Sequence, residues 1–75
     1  MTLFEAKLRK KCKIKSIKID DFKTKIRLME LGLTESASVE VFKKSLMKKT
    51  LLIFLNSCCF TLKENFAKQV EVEYE

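Results

Sequence analysis

The sequence predicts a mainly β fold: about five short strands and one inserted helix, curled into a small barrel as a single domain over residues 1–75. Three observations predict it. Apolar and polar residues alternate with period two in several short runs. Helical spacing extends over only one substantial stretch, near residues 21–31. A chain of 75 residues cannot otherwise protect several sheet edges, which closure into a barrel removes.

Thr2-Leu3-Phe4-Glu5-Ala6 reads as a short helical turn, with Thr2 as its cap and Glu5 three residues on. From Cys12 the pattern alternates, with Cys12 and Ile14 on one phase, Ile17 and Ile19 on the other, and lysines between. Period two means a strand, and the phase slip around Ser16 predicts a β-bulge or bend. Asp20-Asp21 then offers an N-cap with negative charge at the positive end of a helix. Phe22, Ile26, Met29 and Leu33 follow at spacings of four, three and four, and line one helical face. Lys23, Lys25, Arg27 and Glu30 fall on the other side. Gly32 stands where a left-handed residue would end the helix.

The remainder is β-structure. Val39 and Val41 alternate with Ser38 and Glu40, and residues 43–49 read as a loop or distorted hairpin. Residues 51–55 form a strand that Asn56-Ser57 turns. Cys58, Phe60 and Leu62 alternate with Cys59, Thr61 and Lys63. Residues 64–68 suffice for one helical turn. Val70, Val72 and Tyr74 then alternate with Glu71, Glu73 and Glu75, a closing strand with one wet face.

Sixteen Lys+Arg against ten Asp+Glu give a net charge of +6. The excess is N-terminal, because residues 1–18 set seven positive side chains against Glu5 alone. Such a tract suits phosphate, an acidic partner or an anionic membrane surface. The plainer alternative is a solvated face that keeps a small protein in solution.

Histidine is absent, which removes the commonest general base and the commonest metal ligand together. No glycine-rich phosphate loop and no recognisable nucleophile–base pairing is present, so no enzyme and no catalytic residue is expected. Asp20-Asp21 is explained by the helix N-terminus. The three cysteines lack the C-x-x-C spacing. Cys12 and Cys58 sit on inward phases and read as small core hydrophobes rather than metal ligands, so neither metal nor cofactor is expected. The opening residues lack the apolar core of a signal peptide. The longest apolar run, residues 51–55, falls far short of the ~20 residues that span a bilayer. The expectation is a cytoplasmic protein without direct membrane insertion.

Two stretches carry a family resemblance. Ile-Arg-Leu-Met-Glu-Leu-Gly-Leu-Thr-Glu-Ser-Ala-Ser-Val-Glu-Val at 26–41 resembles FeoA-like domains, where a helix ends in Leu-x-x-Met/Leu-Gly-Leu-Thr before a Val-x-Val strand. Phe60-Thr-Leu-Lys-Glu-Asn-Phe-Ala-Lys-Gln-Val-Glu-Val72 matches the family's later strand, turn and closing strand. The two stand at the expected separation, so the resemblance spans nearly the whole chain. It implies an SH3-like barrel with an inserted helix. It also implies an accessory protein of bacterial ferrous iron uptake acting with FeoB, a membrane transporter bearing a GTP-binding domain. Related modules occur in metal-dependent repressors. The chain departs from the family at its loops: Glu35-Ser36 replaces Pro-Gly, residues 46–50 replace Pro-Leu-Gly-Asp-Pro, and Asn56-Ser57 replaces Arg-Gly.

Strand alternation also nominates a contact surface. If Leu51, Ile53 and Leu55 point inward, Leu52 and Phe54 point outward, where FeoA-like relatives commonly carry polar residues. The alternative is that the helix or the N-terminal turn covers them. The expected partner-binding residues are therefore Leu52 and Phe54, Leu46 and Met47 on the adjoining loop, and Lys10 and Lys13 of the basic tract. The expected partner is the transporter's cytoplasmic region, or a second copy of the chain. Nucleic acid is the rival, and is disfavoured because single strands want stacking platforms beside the charges and only Phe4 lies near the basic run.

Overall fold

A computed structural model describes residues 1–55 and 57–75. A 3-10 turn, Leu3–Glu5, precedes β1 (Cys12–Ile17), α1 (Phe22–Glu30), β2 (Ser38–Ser45), β3 (Thr50–Leu55), β4 (Cys58–Lys63), α2 (Glu64–Ala67) and β5 (Val70–Tyr74). All strand pairings are antiparallel, in the order β4-β3-β2-β1-β5. The mainly β fold with one longer helix is as the periodicity predicts. Asn56 of the expected turn lies outside the described residues, while Ser57 adopts φ 65°.

Alternation places the core on one side of the sheet. Ile14, Val39, Val41, Leu51, Ile53, Leu55, Leu62, Val70 and Val72 are all buried, and Leu3, Leu28, Leu33 and Ala67 complete the same cluster. Among the described residues no polar or charged side chain is buried, so the interior is held by apolar burial and packing alone. In β1 the register shifts between Ile14 and Ser16 against β5, which is the predicted bulge.

The ladder does not close on itself. Among the described residues β4 and β5 are its two edges, joined in sequence by α2. The outer edge of β5 is covered by the N-terminal segment: Val72 N–H donates to the Met1 carbonyl at 2.8 Å, and Thr2 bridges Glu71. Thr2 N–H in turn donates to Glu5 Oε1 at 2.7 Å, holding that carboxyl below its ordinary pKa. β4 is left as the uncovered edge.

α1 ends as the glycine predicts. Gly32 has φ 103°. Its N–H donates to the Met29 carbonyl at 3.0 Å, and Leu33 N–H donates to the Leu28 carbonyl at 2.9 Å. This pair of bonds defines a Schellman cap. At the other end Asp21 is the N-cap residue, but its Oδ2 accepts the Thr24 hydroxyl at 2.7 Å instead of a backbone N–H.

Three expectations are corrected. The predicted apolar face of α1 is turned outward: Phe22 is 71% exposed, Ile26 and Met29 are also exposed, and the one buried helix residue is Leu28 at 5%. The Schellman cap explains this, because Leu33, beyond the left-handed residue, leaves the Phe22 stripe and enters the core with Leu28. Second, the loop reading of residues 43–49 gives way to its alternative, the distorted hairpin: residues 43–45 are the end of β2, and a bulge between Val41 and Lys43 absorbs the phase change. Third, Cys58 is exposed, as is Cys59. The inward phase of β4 gains cover only progressively, from exposed Cys58 through half-buried Phe60 to buried Leu62, because the core does not reach under the start of this edge strand.

The thiols therefore differ in kind. Cys12 is buried, and loss of solvation, aided by the Glu75 carboxylate, pushes its pKa up from the ordinary 9.0. Titration of the native protein with a chromogenic disulfide reagent is expected to consume two thiols rapidly and the third only on unfolding. Rapid consumption of all three would show that β1 opens readily.

Candidate partner-binding surface

β2, β3 and β4 set an apolar patch on the outward face of the sheet. Phe54 lies opposite Glu40 of β2 and Cys59 of β4, and Leu52 lies opposite Lys43 and Thr61. The β2 bulge leaves Phe42 without an opposite residue on β3. Its ring stacks on Phe54 with centroids 5.6 Å apart and planes 20° apart. Phe54 remains 38% exposed, so neither the helix nor the N-terminal turn seals it. Leu52 and Phe42 are half-buried. Phe42 escapes a reading based on alternation because it is the extra residue of a bulge; the hint was an aromatic directly after Val41, breaking the period.

The basic tract joins this patch through a different lysine from those expected. Lys11, Ser38, Glu40 and Phe54 border one shallow depression. Lys10 is engaged elsewhere, its ammonium 4.6 Å from the centroid of the Tyr74 ring. The Tyr74 hydroxyl also accepts the Lys7 N–H at 3.0 Å, so this aromatic pins the segment leading into β1. Lys13 is exposed one strand away, opposite Ser38 of β2 and Glu73 of β5.

Leu46 and Met47 do not join the aromatic pair. They occupy the four-residue tip of the β2–β3 hairpin, beyond the Ser45–Thr50 pair, at the opposite end of β3 from Phe54. Among the described residues no group of three or more Cys, Asp or Glu side chains gathers as metal ligands would. No helix among them is long and apolar enough to cross a membrane. The arrangement offers surface chemistry: stacked rings, flanking charge and an open strand edge.

Known proteins match this framework closely. The solution structure of the FeoA protein from Chlorobium tepidum superposes with a TM-score of 0.89 at 24% identity, covering 99% of this chain and 70% of that one. The zinc-complexed FeoA of Stenotrophomonas maltophilia, described as a procaryotic SH3 domain protein, gives 0.82 at 28% identity over 97% of this chain and 89% of that one. A manganese-dependent transcriptional repressor also superposes at 0.88, but at 12% identity and over only 41% of its own chain, so it shares the fold alone. Comparison with curated proteins found no match. The family model of the FeoA domain matches residues 1–74, and with that match the chain, an SH3-like barrel, belongs to the FeoA domain family.

Proposed function

We propose that the protein is a cytoplasmic, non-enzymatic accessory of bacterial ferrous iron uptake that docks on the cytoplasmic region of a FeoB-type GTP-binding transporter. Family membership supports the process, as does the description of the S. maltophilia protein as a candidate ferrous iron transport activating factor. The observation that carries the docking is the stacked Phe42–Phe54 pair, left partly open to solvent on the outward sheet face. An exposed aromatic pair with a polar rim is the composition of an interface centre. Phe54 is its anchor, Phe42 and Leu52 its shoulders, and Lys11 and Lys13 supply the charge that attracts an acidic partner.

The test uses binding to the transporter's cytoplasmic region. Phe54→Glu is expected to fold normally and to weaken that binding by roughly tenfold or more, the scale of an interface anchor. Lys11→Glu with Lys13→Glu should mainly slow association and flatten its salt dependence. Phe22→Ser, on the exposed helix stripe, is the control that should change little. Loss through Phe22→Ser alone would move the contact to α1. Retention of single-stranded nucleic acid by the wild type, lost in Phe54→Glu, would replace the transporter with the nucleic-acid alternative.

A further inference from the structure

The tip of the β2–β3 hairpin combines two features that ordinary turn chemistry does not require. Tight turns favour Gly, Asn, Asp, Pro and Ser, yet this one presents Leu46 and Met47, exposed at 83% and 96%. The tip is a built structure. Ser45 and Thr50 pair across it, Lys48 N–H donates to Ser45 Oγ at 3.3 Å, and Lys49 closes it with φ 52°. The two apolar side chains are therefore held out from the barrel, with no core to return to.

Lysines surround them. Lys43, Lys44, Lys48 and Lys49 come from the hairpin itself, and the fold brings Lys63 and Lys68 to the same end from β4 and the residue after α2. Glu64 is the one carboxylate in these two depressions, and it pairs with Lys68 at 3.1 Å. Lys44 is tied to the Phe4 carbonyl and ring. Lys43, Lys48, Lys49 and Lys63 have no ion-pair partner among the described residues. This end of the molecule is basic independently of the N-terminal tract, which the linear charge count assigns to residues 1–18.

We propose that this end is a peripheral contact for an anionic lipid surface, with Leu46 and Met47 entering the boundary between headgroups and acyl chains while the lysines bind lipid phosphates. An apolar point ringed by flexible cations suits a surface that yields and presents mobile charge. A protein partner would need a preformed socket for the protruding pair, and its carboxylates would favour the bidentate geometry of arginine, of which this cluster has none. The expectation of no membrane insertion rested on the length needed to span a bilayer; adsorption by two side chains makes no such demand. The inference does not rest on transporter docking, whose anchor Phe54 lies toward the opposite end of β3, although Leu52 borders both surfaces.

Vesicle co-sedimentation tests it, with the whole 75-residue chain and no transporter. Binding is expected to vesicles of phosphatidylglycerol mixed equally with phosphatidylcholine and not to phosphatidylcholine alone, and to weaken steeply with added salt. Lys48→Gln and Lys49→Gln should each lower the partition coefficient about fivefold. Leu46→Ser with Met47→Ser should lower it roughly tenfold or more while preserving the melting temperature. A Met47→Trp variant should show an emission blue shift on binding and quenching by brominated acyl chains. Absence of binding to the anionic vesicles overturns the proposal. So does binding that survives the tip variants but is lost with Lys10→Gln and Lys13→Gln, which would assign adsorption to the N-terminal tract. Binding without a blue shift overturns the entry of the tip. Failure to bind vesicles, combined with tip-dependent binding to a soluble acidic protein, would assign the end to a protein partner.

Discussion

Ile53→Ala is expected to destabilise the fold by about 2–5 kcal/mol, which for a domain of this size lowers the melting temperature on the order of 10–30 °C. Ile53 is fully buried at the middle of β3, between Val41 of β2 and Phe60 of β4. Its loss removes methylene contacts at a point where both neighbouring strands are already committed to the ladder, so the cavity cannot collapse cheaply. Domains of 75 residues hold roughly 4–11 kcal/mol in total, so the variant sits near the limit of folding. The companion Leu52→Ala, at a half-buried outward position, should cost about 1 kcal/mol or less. A circular dichroism melt of the two variants checks the pair. Reversal of the ranking would mean that the register of β3 is off by one residue, since a one-residue slip exchanges the two faces.

Gly32→Val should be the next largest effect, about 1–3 kcal/mol, because Gly32 sits at φ 103°, where a β-branched side chain is a genuine outlier. Two cap hydrogen bonds depend on that conformation, from Gly32 and Leu33 to the carbonyls of Met29 and Leu28. Leu33 and Leu28 are both core residues, so loss of the cap also disturbs their burial. Gly32→Asn should recover part of the loss, because asparagine tolerates the left-handed region better than valine. Melting curves for the Val and Asn variants decide it. Equal stability of all three proteins would place the helix end elsewhere. The substitution should leave the Phe42–Phe54 face in place, which separates this outcome from a change in partner binding.

The candidate surface was only partly legible in the residues. Leu52 and Phe54 follow from the alternation of 51–55, a purely local property. Phe42 does not, because no slip in the apolar alternation marks its bulge, as the slip between Ile14 and Ile17 marks that of β1. Lys11 is one of the seven positive side chains of residues 1–18, but nothing local makes it a neighbour of Phe54; the two are 43 positions apart and meet only when β1 is laid against β2. Lys10 illustrates the converse, a prominent charge in the sequence that the fold commits to Tyr74.

The sequence by itself determined the β-strand periods, the inward set of β3, the β1 bulge and the glycine that ends α1. Each is written in residues close together in the chain, where backbone geometry alone decides the outcome. Tertiary structure decided which side of α1 is buried, how far the core reaches beneath β4, and which lysines gather around the hairpin tip. A helical stripe marks a face as apolar without saying what it meets. Here the Schellman cap draws Leu28 and Leu33 inward and leaves Phe22, Ile26 and Met29 outside. The first residues of β4 alternate but are uncovered, so Cys58 is wet. The lysines of the hairpin, of β4 and of the residue following α2 are modest runs in the chain. They become one positive end because antiparallel pairing returns Lys63 beside Thr50, at the foot of the turn that carries Leu46 and Met47.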